Sequence, residues 1–164
     1  MQDKIKKYLK ETLLFVIFLA IAMNAVSYYR ALNLNKNRLD IKRITLIDGT
    51  NITLPKNRPI MIHLWAIWCP ICKLENPNID EIAKDYDVIT IAVQSGSKEE
   101  IQAYLNQHEL HFKVVDDKDG FYAKKFNITV FPTTLIYDKE GRLKFSEVGY
   151  TTTAGLYSRM LMSE

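Results

Sequence analysis

The chain of 164 residues contains two cysteines, and they stand three apart in Cys69-Pro70-Ile71-Cys72. The apolar run from Ile60 to Trp65 precedes them and reads as a buried strand. Pro70 suits the first turn of a following helix, where its missing N–H costs nothing. Cys69 therefore falls at a strand-to-helix junction, beside free backbone N–H groups and the positive end of a helix dipole. That placement favours thiolate over thiol. Cys72, one turn further on, shares the helix face and can close a disulfide with Cys69. The chemistry that fits is reversible thiol–disulfide exchange, with Cys69 attacking and Cys72 resolving.

Blander chemistries fit less well. A structural zinc site needs about four ligands, whereas the chain offers two thiols and three scattered histidines, His63, His108 and His111. An inert disulfide closing so short a loop would constrain little of the unfolded chain. A pair of buried unreactive thiols leaves the helix-start placement unexplained.

The elements that must position the pair are legible around it. Ile44–Ile47 and Asn51–Leu54 flank Asp48-Gly49, a strong hairpin-turn signal. A strand over 59–65 leads to a helix over about 70–84, which Pro77 should kink. A buried strand over 87–93 follows, then Ser97 with Glu100 as a capping box opening a helix to about 107. A short strand over 111–115 and a short helix over 120–126 precede Phe131-Pro132. Residues 133–137 and 142–148 form a hairpin, and a last helix runs over about 153–162. Alternating strands and helices ending in a hairpin and helix imply an α/β fold with a mixed central sheet covered by helices. Pro132 lacks a ladder donor and belongs at the beginning of its strand. Read from the residues alone, it is either an ordinary trans proline there or a cis one. A turn at this point would leave the Phe131 backbone to pair with an extended substrate peptide.

The net charge of +3 is small and its basic residues are scattered, with no aromatic-and-basic stripe, so nucleic acid is not an expected partner. The first residues differ from the rest. Lys4, Lys6, Lys7 and Lys10 precede an uncharged stretch from Thr12 to Tyr29 that is about long enough to cross a bilayer. The expected organisation is a cytoplasmic segment 1–11, a transmembrane signal-anchor 12–29, a polar linker 30–42 and a globular domain 43–164. Ala20-Ile21-Ala22 resembles a signal-peptidase site, so cleavage and release is an alternative; a buried soluble helix would waste the lysines. Either export route delivers the dithiol to a compartment that permits disulfides. The Asn51-Ile-Thr and Asn127-Ile-Thr glycosylation patterns read as coincidence.

Trp65, Ala66, Trp68, Cys69, Pro70, Cys72, Glu75 and Pro77 resemble the membrane-anchored thioredoxin-like proteins of bacterial envelopes, the TlpA/ResA/DsbE group, and most of all its suppressor-of-copper-sensitivity D (ScsD) type. A second block from Val130 to Gly141 resembles that group's cis-proline strand and hairpin, although Val130 stands where glycine is frequent. The resemblance covers about residues 43–162 and implies a thioredoxin-like fold with a TlpA-type strand–helix insertion, and Pro132 in cis against the cysteine pair. It implies a bacterial inner-membrane protein, single-pass, with its domain on the periplasmic side. Exported proteins with disulfides are the implied substrates, and a membrane reductase the implied electron donor. Trp68, Pro70 and Phe131 are the implied substrate-binding residues, with Trp65 and Trp68 shielding the dithiol.

His63 lies six before Cys69, where thioredoxins carry a buried acid; it is either a base for Cys72 near neutral pH or a packed, hydrogen-bonded histidine. Glu75 matches the group's glutamate and either exchanges protons with the dithiol or faces solvent on the helix. Isoleucine at position 71 cannot stabilise a thiolate as a histidine there would, which favours a reducing protein. No cofactor and no resident metal are expected. The alternative function is an envelope copper-handling module using the same two thiols for Cu(I). A peroxidase-like role fits poorly, because a paired, proline-containing motif differs from a peroxidatic cysteine site.

Overall fold

A computed structural model describes residues 2–31, 34 and 37–164. Asn33, Asn35 and Lys36 of the expected linker lie outside the described residues, as do the side chains of Lys4 and Lys7. The element order is α1 (Gln2–Ala31), β1 (Arg43–Thr45), β2 (Asn51–Thr53), β3 (Ile60–Trp65), α2 (Pro70–Ile82), β4 (Asp87–Val93), α3 (Lys98–Gln107), β5 (Lys113–Asp117), α4 (Phe121–Phe126), β6 (Thr133–Tyr137), β7 (Leu143–Val148) and α5 (Thr153–Leu161).

A five-stranded sheet in the order β5-β4-β3-β6-β7 carries the domain, and β1–β2 form a separate hairpin. Strands β3, β4 and β5 run parallel, while β6 and β7 are antiparallel to their neighbours. This is a thioredoxin-like α/β fold, and β3, the strand feeding the cysteines, is at its centre. All six β3 residues are buried, as a strand covered on both faces demands. Alternation sorts them. Ile60, Ile62 and Leu64 join the core with α4 and the β1–β2 hairpin, whereas Met61 and Trp65 join the core under α2, α3 and α5. Being of the same parity, His63 points into that second layer, beneath the cysteine-bearing helix.

Local signals are realised where the chemistry is local. Gly49 takes φ +89°, and Asp48 Oδ1 accepts from Thr50 N at 2.8 Å, closing the Asp-Gly turn. Ser97 and Glu100 form the capping box at α3. Pro77 lies inside α2 as expected. The strand expected over 111–115 instead begins at Lys113. Asp80 on α2 takes the N–H groups of His111 (2.6 Å) and Phe112 (2.8 Å), so those residues are held by a side chain rather than by a neighbouring strand. The first helix runs unbroken from Gln2 to Ala31, through the expected boundaries at 12 and 30.

Candidate active site

Cys69 is the N-cap of α2, with Pro70 at the first helical position, and its Sγ accepts from Cys72 N at 3.1 Å. The two cysteines are joined in a disulfide, with Cα atoms 5.3 Å apart. Cys69 retains 6% of its surface in solvent and Cys72 none, so an incoming thiol or disulfide meets Cys69 first. A sulfur at a helix N-cap receives the helix's unpaired N–H groups, which is the physical reason for assigning it the attacking role.

Around this pair the structure gathers both halves of the sequence pattern. The Phe131–Pro132 bond is cis, and Pro132 O accepts from Gly149 N at 2.9 Å. Phe131 packs edge-on to Trp68, ring centroids 5.8 Å apart. Trp65 is fully buried in the core that holds both cysteines. Trp68 differs from the expectation that both tryptophans shield the dithiol: it is 59% exposed, its indole N–H donating to Gln94 O at 3.1 Å. Gln94 adopts φ +45°, rare for a residue with a side chain, and that turns the strand end towards Trp68. Ser95 completes the support, its Oγ accepting from Ile67 N and donating to Val93 O.

Two titratable groups lie in the layer beneath α2. His63 is fully buried, with Nδ1 hydrogen-bonded to Thr134 Oγ1 at 2.9 Å across the β3–β6 pairing. Burial drives its pKa from 6.5 down to about 3, opposed by the Asn76 side chain. Asn76 Oδ1 and His63 Nε2 each lack a hydrogen bond of good geometry, while Asn76 Nδ2 approaches the Tyr104 hydroxyl at 3.4 Å. An imidazole that stays neutral across the physiological range is matched to hydrogen bonding rather than to holding a proton near pH 7.

Glu75 is also fully buried, which removes the solvent-facing alternative. Its Oε1 accepts from Thr151 N at 2.9 Å and its Oε2 has no partner. Burial pushes its pKa up from 4.5 to about 8 despite the Thr151 bond, with Glu147 adding repulsion. Cys72 and Glu75 are three apart on one helix and both are buried, so they share a face.

Asn76, Thr134, Tyr104, Gln94 and Thr151 escaped the sequence reading. Asn76, four after Cys72, had a signal in helical spacing. The others depend on register and loop closure. His108 stacks edge-on against Tyr104 at 4.5 Å and His111 meets Asp80, both away from the dithiol. Among the described residues, no group of three or more His, Cys, Asp or Glu gathers as a metal site.

A sequence profile described as AhpC/TSA matches residues 30–146, more than half of the chain. The chain belongs to the AhpC/TSA family. A thioredoxin-like protein of Haemophilus influenzae is 32% identical to this AhpC/TSA-family chain over 168 residues, spanning 98% of each. Thiol-disulfide oxidoreductase ResA of Bacillus thuringiensis is 26% identical over 149 residues, 82% of this chain and 86% of its own. Among solved structures, StoA from Bacillus subtilis superposes with a TM-score of 0.64 at 23% identity, covering 71% of this chain and 93% of its own. These likenesses establish the thioredoxin-like fold for this member of the AhpC/TSA family and place relatives named thiol-disulfide oxidoreductases around it.

Proposed function

We propose that this protein is a membrane-tethered thiol–disulfide oxidoreductase of the TlpA/ResA/DsbE group, nearest in type to suppressor-of-copper-sensitivity D. In this reading it reduces disulfides in exported proteins. The observation that carries the proposal is the disulfide across the first turn of α2, with one sulfur at the helix cap and the other sealed, and with Phe131 of the cis Phe131–Pro132 bond packed against the same core. In the reduced protein, the Cys69 thiolate attacks a substrate disulfide, forming a mixed disulfide and expelling one substrate thiolate. Cys72, deprotonated, attacks Cys69 Sγ; the Cys69–Cys72 bond forms and the second substrate thiolate leaves. Two electrons pass to the substrate, and the proton lost by Cys72 is taken up by Glu75. A carboxyl group with pKa about 8 is close to a thiol's usual value of about 8.5, so it can pass that proton in either direction. His63 is a positioning residue here, anchoring β6 to β3 under the helix. Trp68, Pro70 and the Phe131 backbone bound the substrate's path, and a membrane reductase returns the electrons.

Reduction of insulin, with the potential of the Cys69–Cys72 couple read against glutathione, tests this. The expected potential is more negative than about −220 mV, in the thioredoxin and glutaredoxin region. A value near that of strong oxidants, about −120 mV, would overturn the reductant assignment.

The anchor rests on α1. Tyr8–Ser27 forms a 20-residue apolar stretch, and Leu13, Phe15, Phe18 and Ile21 on it are exposed. A helix apolar all round and, ahead of its end on β7, exposed along its length suits lipid, and the lysines at its start favour a cytoplasmic start with the domain in the periplasm. After carbonate extraction the full-length chain is expected in the membrane pellet, and protease added to spheroplasts should remove the domain. A soluble form beginning at Met23 would instead establish cleavage after Ala22.

A further inference from the structure

The end of α1 packs against the edge strand β7, and Ser27 Oγ accepts from Val148 N at 3.0 Å. Val148 is the last residue of β7 and pairs with Thr133, directly after Pro132. Val148 thus stands at the dithiol end of the sheet, about 10 Å, two strand spacings, from the end of β3. Beyond α1 the chain descends to the opposite end, where Leu39 N donates to Gly141 O at 2.9 Å. The apolar part of α1 therefore leaves the domain at the dithiol end, and the apolar stretch Tyr8–Ser27 ends at the residue bonded to Val148, two short of the expected anchor boundary at 29.

The same end carries apolar side chains that the fold leaves in solvent. Trp68 (59% exposed) and Ile71 (44%) adjoin the cysteines in sequence, Leu74 (65%) continues the Ile71 face along α2, and Tyr150 (52%) follows Gly149, whose N–H meets Pro132 O. Asn78 Nδ2 holds the Tyr150 hydroxyl at 3.2 Å, fixing that ring along α2, and Lys73 stands exposed between Ile71 and Leu74. Tryptophan and tyrosine favour the membrane–water boundary, and lysine favours lipid phosphate. Because α1 is docked on β7 at this end of the sheet, contact of the rim with lipid is intramolecular in effect, and weak individual contacts suffice.

We propose that the rim formed by Trp68, Ile71, Leu74 and Tyr150 rests on the phospholipid surface, with α1 docked on β7 holding the dithiol mouth at the bilayer. This rests on the membrane-anchor reading above. Exchange then takes place at the membrane boundary, and substrate proteins reach Cys69 from the side.

Tryptophan fluorescence tests it, since Trp65 is buried and Trp68 is not. Full-length Trp65→Phe protein is reconstituted into phosphatidylcholine vesicles with and without bromine on the upper acyl chain. Flotation first establishes that the protein is in the vesicles. Trp68 emission is expected to fall roughly twofold in the brominated vesicles and to resist aqueous iodide. If Trp65→Phe does not fold, the difference between wild type and Trp68→Phe gives the same signal. A chain that floats with the vesicles but whose Trp68 is open to iodide and blind to bromine overturns the seating while leaving the anchor intact. A chain that does not float overturns the anchor, and the seating with it.

Discussion

Cys69→Ala is expected to lower insulin reduction by roughly three orders of magnitude or more, to the level of uncatalysed exchange, while leaving the domain folded. Cys72 is fully buried and has no open face from which to replace the missing nucleophile. Cys72→Ala should behave differently. Cys69 keeps its place at the head of α2 and still attacks, but nothing resolves the product, so mixed disulfides with substrate proteins accumulate and are visible on non-reducing gels. The asymmetry follows from burial and capping together, and it assigns an order to two otherwise equivalent sulfurs. Equal trapping by the two variants would refute it, and the trapped proteins would identify the substrates.

A plateau in stability between about pH 4.5 and 6.5, falling away on both sides, is the second large expectation. Glu75 has its pKa raised by burial, from 4.5 to about 8. Its neutral form suits the fold, so its contribution is complete below pH 4.5 and is lost as the pH rises towards 8. His63 has its pKa lowered by burial, from 6.5 to about 3. Its neutral form also suits the fold, so its contribution is complete above pH 6.5 and is lost as the pH falls towards 3. Between 4.5 and 6.5 the unfolded chain binds one more proton at His63 and one fewer at Glu75, and the two slopes cancel. Outside the plateau each group contributes at most about 1.4 kcal/mol per pH unit. Glu75→Gln keeps an acceptor for Thr151 N and removes the alkaline limb, so at pH 8 it should be more stable than wild type by about 4 kcal/mol. It should also slow resolution of the mixed disulfide more than its formation. Urea denaturation at pH 5 and pH 8 measures the first effect, and single-turnover exchange the second. An unchanged alkaline limb in Glu75→Gln would show that another group dominates it.

The contrast between these two experiments mirrors what could be read from residue order. The cysteine pair was legible because its chemistry is local: an apolar strand, a proline at the first helical position, and two thiols one turn apart. The Asp48-Gly49 turn and the Ser97–Glu100 box are local in the same way. Pro132 needed the resemblance, since residue order alone left cis and trans open. Glu75 meets the N–H of Thr151, 76 positions along the chain, and no count along α2 reveals that partner. His63 meets Thr134 because β3 and β6 pair antiparallel in one register, a long-range choice. Gln94 supports Trp68 through a backbone angle that its side chain does not advertise.

The β1–β2 hairpin bears on a different matter, the behaviour of many copies confined to one surface. Ile47, just after β1, donates its N–H to Val114 O of β5 at 2.8 Å, while Ser27 occupies Val148 N at the far side of the sheet. Each outer strand thus has a pairing position filled from within its own molecule. Exposed strand edges are the usual template for runaway association, and tethering would raise their local concentration sharply. Filling a position on each border from within the molecule makes edge-to-edge pairing between copies less favourable.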